Sequence, residues 1–76
     1  MIVVYTKNNC PQCVATKKKL DAMGLEYDLI NVDDEPEKAE ALKQNGFKQL
    51  PVVIKGSFSW QGFRPDLIKN LKNDAE

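Results

Sequence analysis

The chain is 76 residues long, one domain's worth, and close to the lower size at which a single apolar core holds a fold. Lys plus Arg and Asp plus Glu both number 11, so the formal net charge is zero and the basic footprint of a nucleic-acid binder is missing. No apolar run approaches membrane-spanning length, and the opening M-I-V-V-Y-T-K turns polar too early for the core of a signal peptide. A cytoplasmic protein without a membrane partner is therefore expected, as a single domain over residues 1–76.

Ile2 to Thr6, I-V-V-Y-T, is β-branched and aromatic and of strand length. Pro11 to Met23 switches to helical spacing, with Val14, Leu20, Met23 and the small Ala15 and Thr16 available for its inner face and Gly24 placed to end it. The Lys17-Lys18-Lys19 run belongs on the solvated face of that helix. Tyr27 to Val32 returns to strand character. Pro36 to Asn45 returns to helix, with proline in the permitted first turn, Gly46 beyond the end, and Asp33-Asp34-Glu35 as a solvated turn before it. Val52-Val53-Ile54 and Phe58-Ser59-Trp60 then read as two short strands joined through Lys55-Gly56-Ser57, a hairpin. Pro65 to Leu71 puts Leu67, Ile68 and Leu71 on one helical face, before a polar end at Asn73 to Glu76. The order β-α-β-α-β-β-α predicts an α/β fold: a crossover makes the first two strands parallel, and the hairpin completes a four-stranded mixed sheet flanked by three helices.

Two cysteines stand in N-N-C-P-Q-C, Asn8 to Cys13, in a chain with no histidine. A structural staple across so short a loop restrains little of the unfolded chain. An intramolecular zinc site lacks ligands, since beyond this pair only carboxylates remain; no metal is expected. A dithiol that cycles to a disulfide suits the position, where the first strand hands over to the first helix. Unpaired N–H groups and the positive end of the helix dipole stabilise an anion there, which favours the thiolate. Cys10, at the cap, is thus expected to be the nucleophile, and Cys13, one turn inside and more covered, the resolving thiol. Lys7 reads either as a second cation assisting Cys10 or as a solvated charge. Trp60 and Phe63 read either as core residues or as an apolar docking patch.

This order of elements resembles the thioredoxin-like fold. The resemblance implies that Pro51 is a cis-proline facing the cysteines, with Leu50 offering backbone groups to an incoming peptide, in the manner of strand addition. Y-T-K-x-x-C-P-x-C at Tyr5 to Cys13 is similar to glutaredoxins. Q-L-P-V-V at Gln49 to Val53 and W-Q-G-F-R-P-D at Trp60 to Asp66 resemble the NrdH-redoxins, glutaredoxin-like proteins with thioredoxin-like activity. The chain departs from many of those at Pro11, where valine or methionine is frequent, and at Gln61, where serine is. The resemblance implies a dithiol-disulfide oxidoreductase with no bound cofactor, acting as a monomer. Its electron donor would be thioredoxin reductase with NADPH, and its acceptor the large subunit of a class Ib ribonucleotide reductase. Partners would touch Lys7, Pro11, Gln12, Leu50, Pro51, Trp60, Gly62, Phe63 and Arg64. The alternatives are a glutathione-dependent glutaredoxin and, from another class, a thiol-based metal or iron-sulfur carrier using Cys10 across a dimer.

Overall fold

A computed structural model of the chain describes residues 1–73. Strands β1 (Ile2–Thr6), β2 (Asp28–Asn31), β3 (Val52–Lys55) and β4 (Phe58–Gln61) form one sheet in the order β2-β1-β3-β4. Helices α1 (Pro11–Ala22), α2 (Pro36–Gln44) and α3 (Pro65–Asn73) complete the expected order of elements. β1 runs parallel to β2, while β1–β3 and β3–β4 are antiparallel.

The central strands are apolar on both faces because both faces are covered. Val4 and Val53 lie opposite each other and point to one face with Ile2 and Trp60, under Leu20 of α1 and Ile68 and Leu71 of α3. Their neighbours Tyr5, Val52 and Ile54 point to the other face and pack with Val32 and with Ala39 and Leu42 of α2. The two-residue strand period thus sorts one run, V-V-I, between two cores. Among the described residues no helix is long and apolar enough to cross a membrane.

Val14 departs from the expected inner face of α1. It is 45 % exposed, whereas Cys13, Thr16 and Leu20 are buried. Those three are spaced three and four residues apart and define the inward stripe; Val14, about 100° round from Cys13, falls outside it. The Thr16 hydroxyl is satisfied by donating to the Gln12 carbonyl at 2.9 Å. The helix stops at Gly24, whose φ of +71° lets the chain reverse so that Leu25 N–H reaches back to the Leu20 carbonyl at 3.1 Å. The hairpin turn is also shorter than expected. Lys55 pairs with Phe58 inside the ladder, leaving only Gly56 and Ser57 to turn. Asn73 closes α3, and the rest of the expected polar end lies outside the described residues.

Candidate functional site

Cys10 is the N-cap of α1, with extended backbone (φ −120°, ψ 98°), and its sulfur accepts the Cys13 N–H at 3.1 Å. A helix starts here because Pro11 is pre-set for the first helical position and its missing N–H costs nothing there. The two cysteines are joined as a disulfide, with Cα atoms 5.2 Å apart. Cys13 is 1 % exposed and Cys10 7 %, so Cys10 is the less covered sulfur, although even it shows only an edge to solvent.

The approach to Cys10 is held by side-chain amides and one carboxylate. Asp33 Oδ2 accepts the Asn8 N–H at 2.8 Å, and Asn31 Nδ2 donates to Asn8 Oδ1 at 3.0 Å. Asn9 sits at φ +56°, a left-handed conformation that asparagine tolerates better than most residues. Asp33, read from the sequence as part of a solvated turn, is exposed but also fastens this loop.

Opposite the cysteines lies the Leu50–Pro51 segment, where the peptide bond is cis, as the resemblance implied. Pro51 is fully buried, and the Leu50 carbonyl oxygen is 3.9 Å from Cys10 Sγ. β4 extends the sheet past this point: Gly62 N–H donates to the Pro51 carbonyl at 2.7 Å. Beyond it, Phe63 N–H donates to Gln12 Oε1 at 3.3 Å, which ties the turn after β4 to the second of the two residues between the cysteines. Gly62 has φ +81°, and a β-carbon there would stand 3.0 Å from Gln49 Nε2 and 3.6 Å from Gln12 Oε1.

The structure therefore gathers Cys10, Gln12, Cys13, Leu50, Pro51, Gly62 and Phe63 on one surface. Pro11 lies exposed beside Cys10. Trp60 takes the core alternative: it is 6 % exposed among Val4, Val53 and Ile68, packs edge-on to Phe58, and its buried Nε1 finds no hydrogen-bond partner among the described residues. It does not line the surface beside the cysteines. Phe63 takes the exposed alternative at 36 %. Arg64 turns its charge on the first turn of α3, donating from Nε to Asp66 Oδ1 at 3.3 Å and from Nη2 to Oδ2 at 3.1 Å. Those hydrogen bonds hold the Asp66 carboxyl below the usual carboxylate range.

Two clefts flank the surface, and exposed Lys7 lines both. One, of about 430 Å³, is apolar, lined by Val32, Leu42, Phe47, Leu50 and Val52 with Lys43 and Lys48 beside them. The other, of about 690 Å³, is an open groove past Cys10, Pro11, Val14 and Leu29. Among the described residues no group of three or more His, Cys, Asp or Glu is placed to hold a metal ion. Sequence reasoning missed Gln61, which it noted only as a departure from serine. Its Oε1 accepts the Lys48 N–H at 2.7 Å and the Gln49 N–H at 3.3 Å.

The glutaredoxin family model matches residues 2–59. The glutaredoxin-like protein NrdH of Escherichia coli strain K12 is 56 % identical over 70 residues, covering 92 % of this chain and 86 % of that protein. The protein of the same description from Lactococcus lactis subsp. lactis strain IL1403 is 42 % identical over 71 residues, 93 % of this chain and 99 % of its own. The solved structure of the Escherichia coli NrdH-redoxin, whose description assigns it a thioredoxin-like activity profile, superposes with a TM-score of 0.90 at 56 % identity over 92 % of each chain. A glutaredoxin from Archaeoglobus fulgidus superposes with a TM-score of 0.78 at 26 % identity, over 93 % of this chain and 84 % of that one. Fold and cysteine pair together define a thiol-disulfide oxidoreductase of thioredoxin-like architecture. Within that class, the chain belongs to the glutaredoxin family, on its NrdH-redoxin branch.

Proposed function

We propose that this protein carries electron pairs from thioredoxin reductase, supplied by NADPH, to the large subunit of a class Ib ribonucleotide reductase. It works as a cytoplasmic monomer with no bound cofactor. The Cys10 thiolate attacks one sulfur of the acceptor's disulfide, forming a mixed disulfide and releasing the acceptor's other sulfur as a thiolate, which takes up a proton. Cys13 loses its proton and attacks Cys10 Sγ, which expels the acceptor's second thiolate and leaves the Cys10–Cys13 disulfide. The acceptor has gained two electrons and two protons, and the reductase returns the same number to this protein.

The order of attack follows from exposure: Cys10 is the reachable sulfur, and Cys13, beneath it, meets only what is already bound to Cys10. The Cys13 N–H directed at Cys10 Sγ stabilises a thiolate there.

The observation that favours the reductase over glutathione as donor is the Arg64–Asp66 pair. A glutathione site needs an anionic partner for the tripeptide's ammonium end. Here both Asp66 oxygens are engaged by Arg64, and the guanidinium itself repels an ammonium. Reduction of the disulfide is to be followed with thioredoxin reductase and NADPH, and separately with millimolar glutathione and its own reductase. The reductase should act far faster. Efficient turnover with glutathione and none with thioredoxin reductase would make the protein a glutathione-dependent glutaredoxin. Failure to support a class Ib ribonucleotide reductase would leave a general protein-disulfide reductase.

A further inference from the structure

The segment between α2 and β3 carries the backbone that faces Cys10, and its own backbone has few internal anchors. Phe47 N–H is held by the Leu42 carbonyl at 3.0 Å at one end, and the Pro51 carbonyl accepts from Gly62 at the other. Between them, the N–H groups of Lys48 and Gln49 both end on a single atom, Gln61 Oε1. The next N–H, that of Leu50, has no hydrogen-bond partner among the described residues, and the Leu50 carbonyl lies beside Cys10 Sγ. One side chain therefore holds two consecutive donors and leaves the third vacant beside the reactive sulfur. Gln61 closes β4, where it pairs with Val52, so its carboxamide is anchored to the sheet rather than to a loop.

We propose that Gln61 is a positioning residue for substrate docking: its carboxamide fixes Lys48 and Gln49 so that Leu50 presents a preset N–H and carbonyl to the peptide carrying the target disulfide. Without that acceptor, the exposed Lys48 and Gln49 donors turn to water. The Leu50 edge is then ordered only when substrate binds, and the loss falls on recognition of a peptide rather than on sulfur chemistry. The inference rests on the reading of this protein as a protein-disulfide reductase, and its test separates the two.

Pre-reduced protein, freed of reductant, is mixed with rising excess of insulin or of dithionitrobenzoate, a small disulfide without a peptide backbone. Gln61→Met, similar in length but lacking the acceptor, should raise the half-saturating insulin concentration about tenfold, the cost of ordering a short stretch of chain on binding. Its limiting rate and its reaction with dithionitrobenzoate should match the parent protein. Gln61→Glu, which restores an acceptor oxygen at neutral pH, should recover most of the loss. In the unsubstituted protein, amide exchange should be slow at Lys48 and Gln49 and fast at Leu50. Equal losses on both disulfides, no loss on insulin, no recovery with Glu, or equal exchange at the three amides would each overturn the proposal. A parent protein that reduces neither disulfide would remove the underlying reading as well.

Discussion

Gly62→Ala tests whether the surface opposite the cysteines depends on a residue without a side chain. Gly62 sits at φ +81°, where an L-residue with a β-carbon is disfavoured by roughly 1–2 kcal/mol. The loss of unfolded-state freedom on going to alanine returns about 0.4–1 kcal/mol, leaving a net cost on the order of 1 kcal/mol. In a domain of this size that lowers the melting temperature by about 4–8 °C. Gly24→Ala is the matched control: its φ is +71°, and an added β-carbon there would meet nothing within 4 Å. At Gly62 the new methyl would also meet the Gln49 amide at 3.0 Å. That amide is the far end of a flexible side chain and yields at little cost in stability, but in yielding it disturbs the surface beside Leu50. The two variants should therefore lose similar stability in thermal or urea unfolding, while only Gly62→Ala loses activity in insulin reduction. An unchanged melting temperature in Gly62→Ala would refute the backbone argument. An equal activity loss in Gly24→Ala would refute the assignment of Gly62 to the site.

Two further outcomes are expected. Cys13→Ser should still attack a protein disulfide and then remain joined to it through Cys10, whereas Cys10→Ser should form no such adduct; mass spectrometry of the trapped species checks this, and equal trapping through Cys13 would reverse the two roles. Tyr27 donates to Asp21 Oδ1 at 3.0 Å, and partial burial, then that hydrogen bond, then the carboxylate's charge push its phenol above the ordinary value. The folded state thus favours the protonated phenol, so its contribution is full below the unfolded pKa of about 10 and is lost as pH rises through the higher folded value. Urea unfolding on either side of that range should show a smaller alkaline loss in Tyr27→Phe than in the parent.

The architecture was legible because the hydrophobic period changes cleanly along the chain, from the strand I-V-V-Y-T to the helix behind Pro11, and because proline and glycine mark the helix ends. The cysteine pair was legible for the same reason, since its chemistry follows from being the start of a helix. Val14 was not, because it adjoins the inward stripe in sequence and only the angle of α1 against the sheet decides which side of the stripe is covered. Trp60 was ambiguous because a large aromatic in so small a domain serves a core or a docking patch equally well. With Gly56 and Ser57 alone in the turn, Trp60 lies opposite Val53 and shares its core face. Gln61 stood out only as a departure from serine: an uncharged polar residue at a strand end is ordinary, and its hydrogen bonds come from donors twelve and thirteen positions away.

The reactive pair and the surface that serves it come from distant parts of the chain. The cysteines are three residues apart, so they can meet as soon as the first helix exists. Leu50 is 40 residues from Cys10, and Phe63 is 51 from Gln12. Because β4 is an edge strand that joins the sheet through β3, a chain whose last hairpin has opened keeps both sulfurs close together, and Leu50 beside them through the pairing of β3 with β1, but has lost Gly62 and Phe63 from that surface. The complete site thus depends on the finished sheet, while the ability to close the small disulfide ring is local. A chain in which the last strand has not docked can therefore close the disulfide before its complete site exists.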